Sequence, residues 1–217
     1  MHLDLKHMYA HAKSLVSQII LNFKFSKNNI IEHNVTFSKD TRIDGGAIIG
    51  ENTVLGHGVI ICKNVHISKN AMLSKIEIGE NSAIEYGVIC TGNGQGKILI
   101  GKESYIGIRI ILDWSDNITI GNYVGIGSST AIWTHNNVPM CINNIPLANQ
   151  NNKTHRPTAP VLIEDNVWIG GNCTIYPGVV IHHHSIIAPN SAVAHDVESY
   201  SMVGGVPAKL IKKLSVS

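Results

Sequence analysis

Large apolar residues recur at every sixth position along this chain: Ile31, Phe37, Ile43, Ile49, Leu55, Ile61, Ile67 and Leu73, then Ile78 and Ile84 after a slip of one residue. The beat restarts at Ile100, Ile106 and Leu112, again at Ile120, Ile126 and Ile132, and finally at Ile163, Ile169, Ile175, Ile181, Ile187 and Val193. Neither an amphipathic helix nor a flat sheet has such a period. Val, Ala or Thr stands four positions after the early apolar residues (Val35, Thr41, Ala47, Thr53, Val59, Val65, Ala71). Asn or Gly punctuates the intervals at Asn34, Gly46, Asn52, Asn64, Asn70, Asn81, Asn122, Asn166, Asn172 and Asn190. The pattern predicts short strands joined by turns, three to a coil. The large residue points inward, the small one fits beside the corner, and Asn or Gly adopts turn conformations that bulkier residues disfavour. Stacked coils bury one continuous core. The fold expected is all-β, a parallel β-helix of hexapeptide repeats over residues 30–197.

The ends read differently. Residues 1–29 are expected to form an N-terminal helical segment, with Leu15, Val16, Ile19, Ile20 and Phe23 on one stripe packed against the domain rather than on a membrane surface. Lys13, Ser14, Ser17, Gln18 and Asn22 interrupt its apolar run, so it reads as no signal peptide, and no stretch suits a spanning helix. Residues 198–217 are expected to cap the open end of the core. Gly204, Gly205 and Pro207 stop the coils there, and Ala208 to Leu214 suits a short basic C-terminal helix.

Three lapses interrupt the beat, and an insertion in stacked coils can only leave outward. Thr91 to Leu99 (TGNGQGKIL) is glycine-rich, Trp114 to Thr119 lengthens one six, and residues 136–162 form a long loop. TGNGQG reads as a turn, since the strand-to-helix setting of a phosphate-binding loop is missing. His135 stands where the beat breaks before the long loop, and regular scaffolds carry their chemistry on such excursions.

Composition narrows the partners. The 217 residues suffice for one main domain, and 17 Lys plus Arg against 15 Asp plus Glu give no reason to expect nucleic acid. Cys62, Cys90, Cys141 and Cys173 are scattered without a CxxC pair, which fits reduced thiols in a cytoplasmic protein. The triple His182, His183 and His184 suggests a metal, but adjacent residues at one corner point different ways, so no metal is expected.

Three blocks then carry a family likeness: LDWSDNITIGNYVGIGSSTAIWTHNN (Leu112 to Asn137), VLIEDNVWIGGNCTIYPGVVI (Val161 to Ile181) and SYSMVGGVPAKLIKK (Ser199 to Lys213). With the repeat, they resemble the hexapeptide-repeat acyltransferases, specifically the maltose, galactoside and exopolysaccharide sugar O-acetyltransferases. The resemblance implies a left-handed coil and transfer of acetyl from acetyl-coenzyme A to a sugar hydroxyl, of a surface polysaccharide or its precursor, within a ternary complex. It assigns His135 as the catalytic general base, a role that suits an imidazole's pKa. Asp113 either accepts hydrogen bonds from sugar hydroxyls or orients the imidazole, its rival role being that of a turn residue. Trp133 and Asn136 flank the histidine on the acceptor side. For coenzyme A the resemblance implies Trp168, Gly170 and Gly171 along the acyl-donor channel, with Gly171 also the candidate oxyanion donor. Ala188, Pro189, Asn190, Ala194 and His195 would line one corner of successive coils, and Lys209 and Lys212 would meet the donor's phosphates. Two departures stand out. GIRII (Gly107 to Ile111) lacks the Asn or Asp of sugar-specific relatives, pointing to an acceptor other than a simple hexose, and Ala194-His195 replaces their usual Thr-Lys pair. The family also implies a homotrimer with active sites between subunits. The rival readings are an N-acetyltransferase on an amino sugar, a γ-carbonic-anhydrase-like metalloenzyme and a non-catalytic scaffold.

Overall fold

The computed structural model describes residues 28–147 and 156–215. The helical segment expected over residues 1–29 thus lies, but for its last two residues, outside the described part.

Among the described residues, twenty-five short strands form three sheets of ten, eight and seven strands. The chain visits them in that order. Ile30–Ile31, Thr36–Phe37 and Arg42–Ile43 make one circuit, and Ile48–Ile49 then pairs parallel on Ile30–Ile31. The expected apolar residues turn inward, and Ile49, Leu55, Ile61 and Ile67 are wholly buried, each worth about 1.5–3 kcal/mol against exposure. Ala47, Val59, Val65 and Ala71 are buried beside them at the corners.

Left-handed backbone at the corners explains the asparagines. Asn34, Asn52, Asn64, Asn70, Asn81, Asn166, Asn172 and Asn190 all have φ between 57° and 60°. Their amides also stack from coil to coil, as in Asn34 to Asn52 (3.2 Å), Asn64 to Asn81 (3.1 Å) and Asn172 to Asn190 (2.7 Å). Asn122 departs from the pattern. Its neighbour Tyr123 takes the positive φ, while Asn122 donates its N–H to Asp165 Oδ1 at 2.7 Å.

The C-terminal block corrects one expectation. Ser201–Gly204 joins the ten-stranded sheet, and Lys209–Lys213 is a strand antiparallel to it rather than a helix. Ser201–Gly204 would otherwise be a bare sheet edge, and a strand satisfies its N–H and C=O groups where a helix would leave them unpaired. A bulge at Ile211 shifts the register, so Lys209 lies opposite Gly204 and Lys212 opposite Met202. Both partners belong to the outward set of their strand, which places the two lysines on one outer face.

The long loop ends slightly sooner than expected, because Val161–Ile163 already pairs with Ile118–Ile120. It contains the short helix Val138–Ile142, whose Met140 is buried while Val138 and Ile142 are exposed. Among the described residues no helix is long and apolar enough to cross a membrane.

Candidate active site

All three interruptions of the beat fall at one corner of the prism, where the chain leaves the eight-stranded sheet for the seven-stranded one. Residues 92–97 follow Ile89–Thr91, residues 114–117 follow Ile111–Asp113, and residues 133–160 follow Ala131–Ile132. These three strands pair in sequence, so the insertions stack on successive coils.

The lowest of them supplies bare backbone. A Cβ on Gly92 (φ +139°) would lie 2.8 Å from the Ser115 nitrogen and 3.0 Å from Asp113 Oδ1, and one on Gly94 would lie 1.7 Å from the Ser115 carbonyl oxygen. TGNGQG is a turn, as expected, but its glycines exist to let the chain press against residues 113–116.

On that floor sits Asp113, whose side chain is 0% exposed while that of His135 is 16% exposed. Asp113 Oδ1 accepts the Ser115 hydroxyl (2.7 Å) and N–H (3.2 Å). Asp113 Oδ2 accepts the Thr134 N–H at 2.9 Å and His135 Nδ1–H at 2.6 Å. The Thr134 hydroxyl lies 2.6 Å from the Asp113 carbonyl oxygen and 2.9 Å from Oδ2, and its oxygen accepts the Asp116 N–H at 2.9 Å. Burial pushes the Asp113 carboxyl up, but the bonds from Ser115, Thr134 and His135 outweigh it and hold the group below the usual aspartate range. With its side chain enclosed, Asp113 has no face for a sugar hydroxyl, so of its expected roles the geometry allows the orientation of His135 and not acceptor contact.

Trp133 and Asn136 flank the imidazole. The Trp133 ring meets it edge-on, centroids 5.9 Å apart, and exposed Asn136 uses its Oδ1 to accept the Val138 N–H at 3.2 Å. The long loop returns to the same place: His135 pairs with Thr158, and the Ala159 N–H donates to the Thr134 carbonyl at 2.9 Å. Arg156 Nη2 donates to Ser115 Oγ at 3.0 Å and also to Asn93 Oδ1, which joins all three insertions in one network.

The donor-side candidates divide between two corners. Gly170, Gly171, Ala188, Pro189 and Asn190 gather where the chain passes from the ten- to the eight-stranded sheet. A Cβ on Gly170 would lie 2.6 Å from the Pro189 nitrogen, so close stacking there demands glycine. Gly170 gives its N–H to the Ile187 carbonyl (2.8 Å), whereas the Gly171 N–H has no acceptor among the described residues. Ala194 and His195 do not belong to this group. They follow Ala192–Val193 on the His135 corner, two coils further along, because three sixes and not one separate residues on a common corner.

Trp168 stands on the outer face of the ten-stranded sheet, 48% exposed, its indole against Gly125, whose missing side chain makes the space. The row runs Trp168, Ile186, Met202, Lys212 across successive strands. Lys213 is engaged by Glu198 and Ser201, while Lys209 and Lys212 form no ion pair among the described residues.

His182 pairs with Glu164 (3.1 Å), His183 with His184 (3.0 Å), and His184 stacks on Tyr200. Among the described residues no three His, Cys, Asp or Glu are gathered as a ligand set. Burial pushes the Cys90 thiol up to about 12 and the Cys173 thiol up as well.

Ser115, Thr134, Asn93 and Arg156 were not singled out from the sequence. The signal that finds them is the count in threes, which puts Cys90, Leu112 and Ile132 on the same side of successive coils.

Comparison with known proteins completes the picture. A family model described as bacterial transferase hexapeptide (six repeats) matches residues 160–195. The chain is 31% identical over 144 residues to the putative lipopolysaccharide biosynthesis O-acetyl transferase WbbJ of Escherichia coli K12, covering 64% of this chain and 71% of that protein. It is 28% identical to galactoside O-acetyltransferase from the same organism, covering 64% of each. The hexapeptide-repeat containing acetyltransferase VCA0836 of Vibrio cholerae, solved with acetyl coenzyme A, matches with TM-score 0.54 and 32% identity over 65% of this chain and 72% of that one.

Proposed function

The chain belongs to the hexapeptide-repeat acetyltransferases, and from that premise we propose that it moves acetyl from acetyl-coenzyme A to a hydroxyl of a carbohydrate, with His135 as general base. The observation that carries this reading is the buried Asp113 carboxylate 2.6 Å from His135 Nδ1. An ionised carboxylate there accepts a hydrogen bond from Nδ1–H, which fixes the tautomer and leaves the Nε2 lone pair for the substrate. A sugar hydroxyl keeps its proton at neutral pH, so a base at hydrogen-bond distance is what attack on a thioester needs. Direct attack in a ternary complex fits better than an acyl-enzyme, since burial keeps the Cys90 and Cys173 thiols protonated.

The donor co-substrate suits the second corner. Gly170 and Gly171 let an extended arm lie against the backbone, Trp168 offers an apolar wall, and Lys209 with Lys212 supply free cationic heads for its phosphates. The Gly171 N–H is free to face the developing oxyanion. Base and donor corner are different corners of one prism, which supports a homotrimer whose sites each lie between two copies. WbbJ and the galactoside enzyme act, by name, in lipopolysaccharide biosynthesis and on galactosides, and these names support a surface glycan or its precursor as acceptor. Four unpaired cysteines support a cytoplasmic setting.

His135→Ala is the test. Thiol release from acetyl-coenzyme A in the presence of a sugar panel should fall by roughly two to four orders of magnitude in kcat, with the circular dichroism spectrum unchanged. Near-normal turnover in that variant removes the assignment.

A further inference from the structure

One cation beside His135 is left over after the fold and the base are accounted for. Arg156 Nη2 lies 3.0 Å from Ser115 Oγ, and Ser115 Oγ lies 3.3 Å from His135 Nδ1. The guanidinium therefore stands one hydroxyl away from the imidazole. Among the described residues its partners are Ser115 Oγ and Asn93 Oδ1, both neutral and both met by Nη2. Among the described residues no carboxylate is within ion-pair distance of it. Asp113, which shares the Ser115 hydroxyl with it, is enclosed and committed to Ser115, Thr134 and His135. Asp116 takes the Thr158 hydroxyl at 3.0 Å.

The sequence reinforces the imbalance. In the sequence, residues 136–162 contain Lys153, His155 and Arg156 and neither Asp nor Glu. A guanidinium presents five donors in a planar fork that matches carboxylate and phosphate oxygens. Holding one half-buried beside the base without a counter-ion has an electrostatic cost, which a negatively charged ligand relieves. The donor's phosphates do not meet this need, because they lie a pantetheine arm away from a thioester seated at His135.

Resting on the acetyl-transfer reading, we propose that Arg156 binds an anionic group on the acceptor, so that the enzyme selects acidic carbohydrates, carrying a carboxylate or a phosphate, over neutral ones. The same contact accounts for an acceptor other than a simple hexose, which the missing Asn or Asp in GIRII already indicated.

The test compares kcat/KM for acetyl transfer to glucuronate, to glucose 6-phosphate and to glucose, using the full chain and its Arg156→Gln and Arg156→Lys variants. The wild type should favour at least one acidic sugar over glucose by about tenfold or more. Arg156→Gln should collapse that ratio by raising KM for the acidic sugar, and Arg156→Lys should retain part of it. Preference for the uronate alone identifies a carboxylate ligand, and preference for the phosphate alone identifies a phosphate. Equal use of glucose by the wild type overturns the proposal. So does a loss in Arg156→Gln that is proportionate for all three sugars, the signature of a residue that only anchors the loop. Either result leaves acetyl transfer standing, whereas no transfer to any of the sugars overturns the carbohydrate reading and this inference with it.

Discussion

An imidazole whose Nδ1 proton is committed to a carboxylate has one basic lone pair left, so under the proposed mechanism the rate depends on Asp113 almost as much as on His135. Asp113→Asn keeps the volume but offers an amide that cannot accept equally from His135, Thr134 and Ser115. Turnover should fall by roughly 10²–10⁴-fold, with a stability loss of about 1–3 kcal/mol in urea titration from the imperfectly paired neighbours. The acid limb follows from the same bonds. Asp113 titrates below the usual aspartate value of 3.8, so its contribution to stability is complete above that value and is lost as pH falls through the lower folded one. Unfolding midpoints measured between pH 5 and 2 should therefore drop more steeply for the wild type than for Asp113→Asn. His135 was legible in the sequence because it heads an interruption. The enclosure of Asp113 was not, since a carboxylate at a corner reads equally well as a turn, a ligand or a brace until the coil above it is in place.

At the level of the element, the hexapeptide beat fixed strand, corner and core, because one inward residue per side leaves the chain no other way to bury its aliphatics. Two places show what neighbours decide. PAKLIKK has local helix preference, yet the edge of Ser201–Gly204 recruits it as a strand, since backbone pairing outweighs propensity. TGNGQG looks like any flexible turn, yet Gly94 has the Ser115 carbonyl where a side chain would go. Gly94→Ala should displace residues 113–116 and cut turnover by tenfold or more, out of proportion to its change in melting temperature. The bulge makes a second prediction. Deleting Ile211 removes the bulge and leaves Lys209 and Lys212 two positions apart on one face, so KM for acetyl-coenzyme A should hardly change, whereas Lys209→Ala/Lys212→Ala should raise it several-fold with kcat little altered.

For the whole molecule, the placement of His135 and Gly171 on different corners gives the proposed trimer a functional test as well as a mass. Light scattering should report three chains per particle. Inactive His135→Ala and Lys209→Glu/Lys212→Glu chains, unfolded and refolded together, should regain about a quarter of wild-type activity, the share of interfaces that join two intact halves at random. A site contained within one chain would regain nothing. The antiparallel strand Lys209–Lys213 carries a last consequence. A stack of parallel coils is a template whose open rung can accept another rung of the same kind, much as the face of a crystal accepts another layer. Here the next rung is already taken by a strand of opposite direction, interrupted by a bulge and studded with lysine, on which a second molecule cannot continue the lattice. A chain ending at Gly205 should consequently grow end to end, giving rods that lengthen with concentration under the electron microscope, so the tail read here as a grip on the donor also serves as the terminator that keeps the protein a discrete particle.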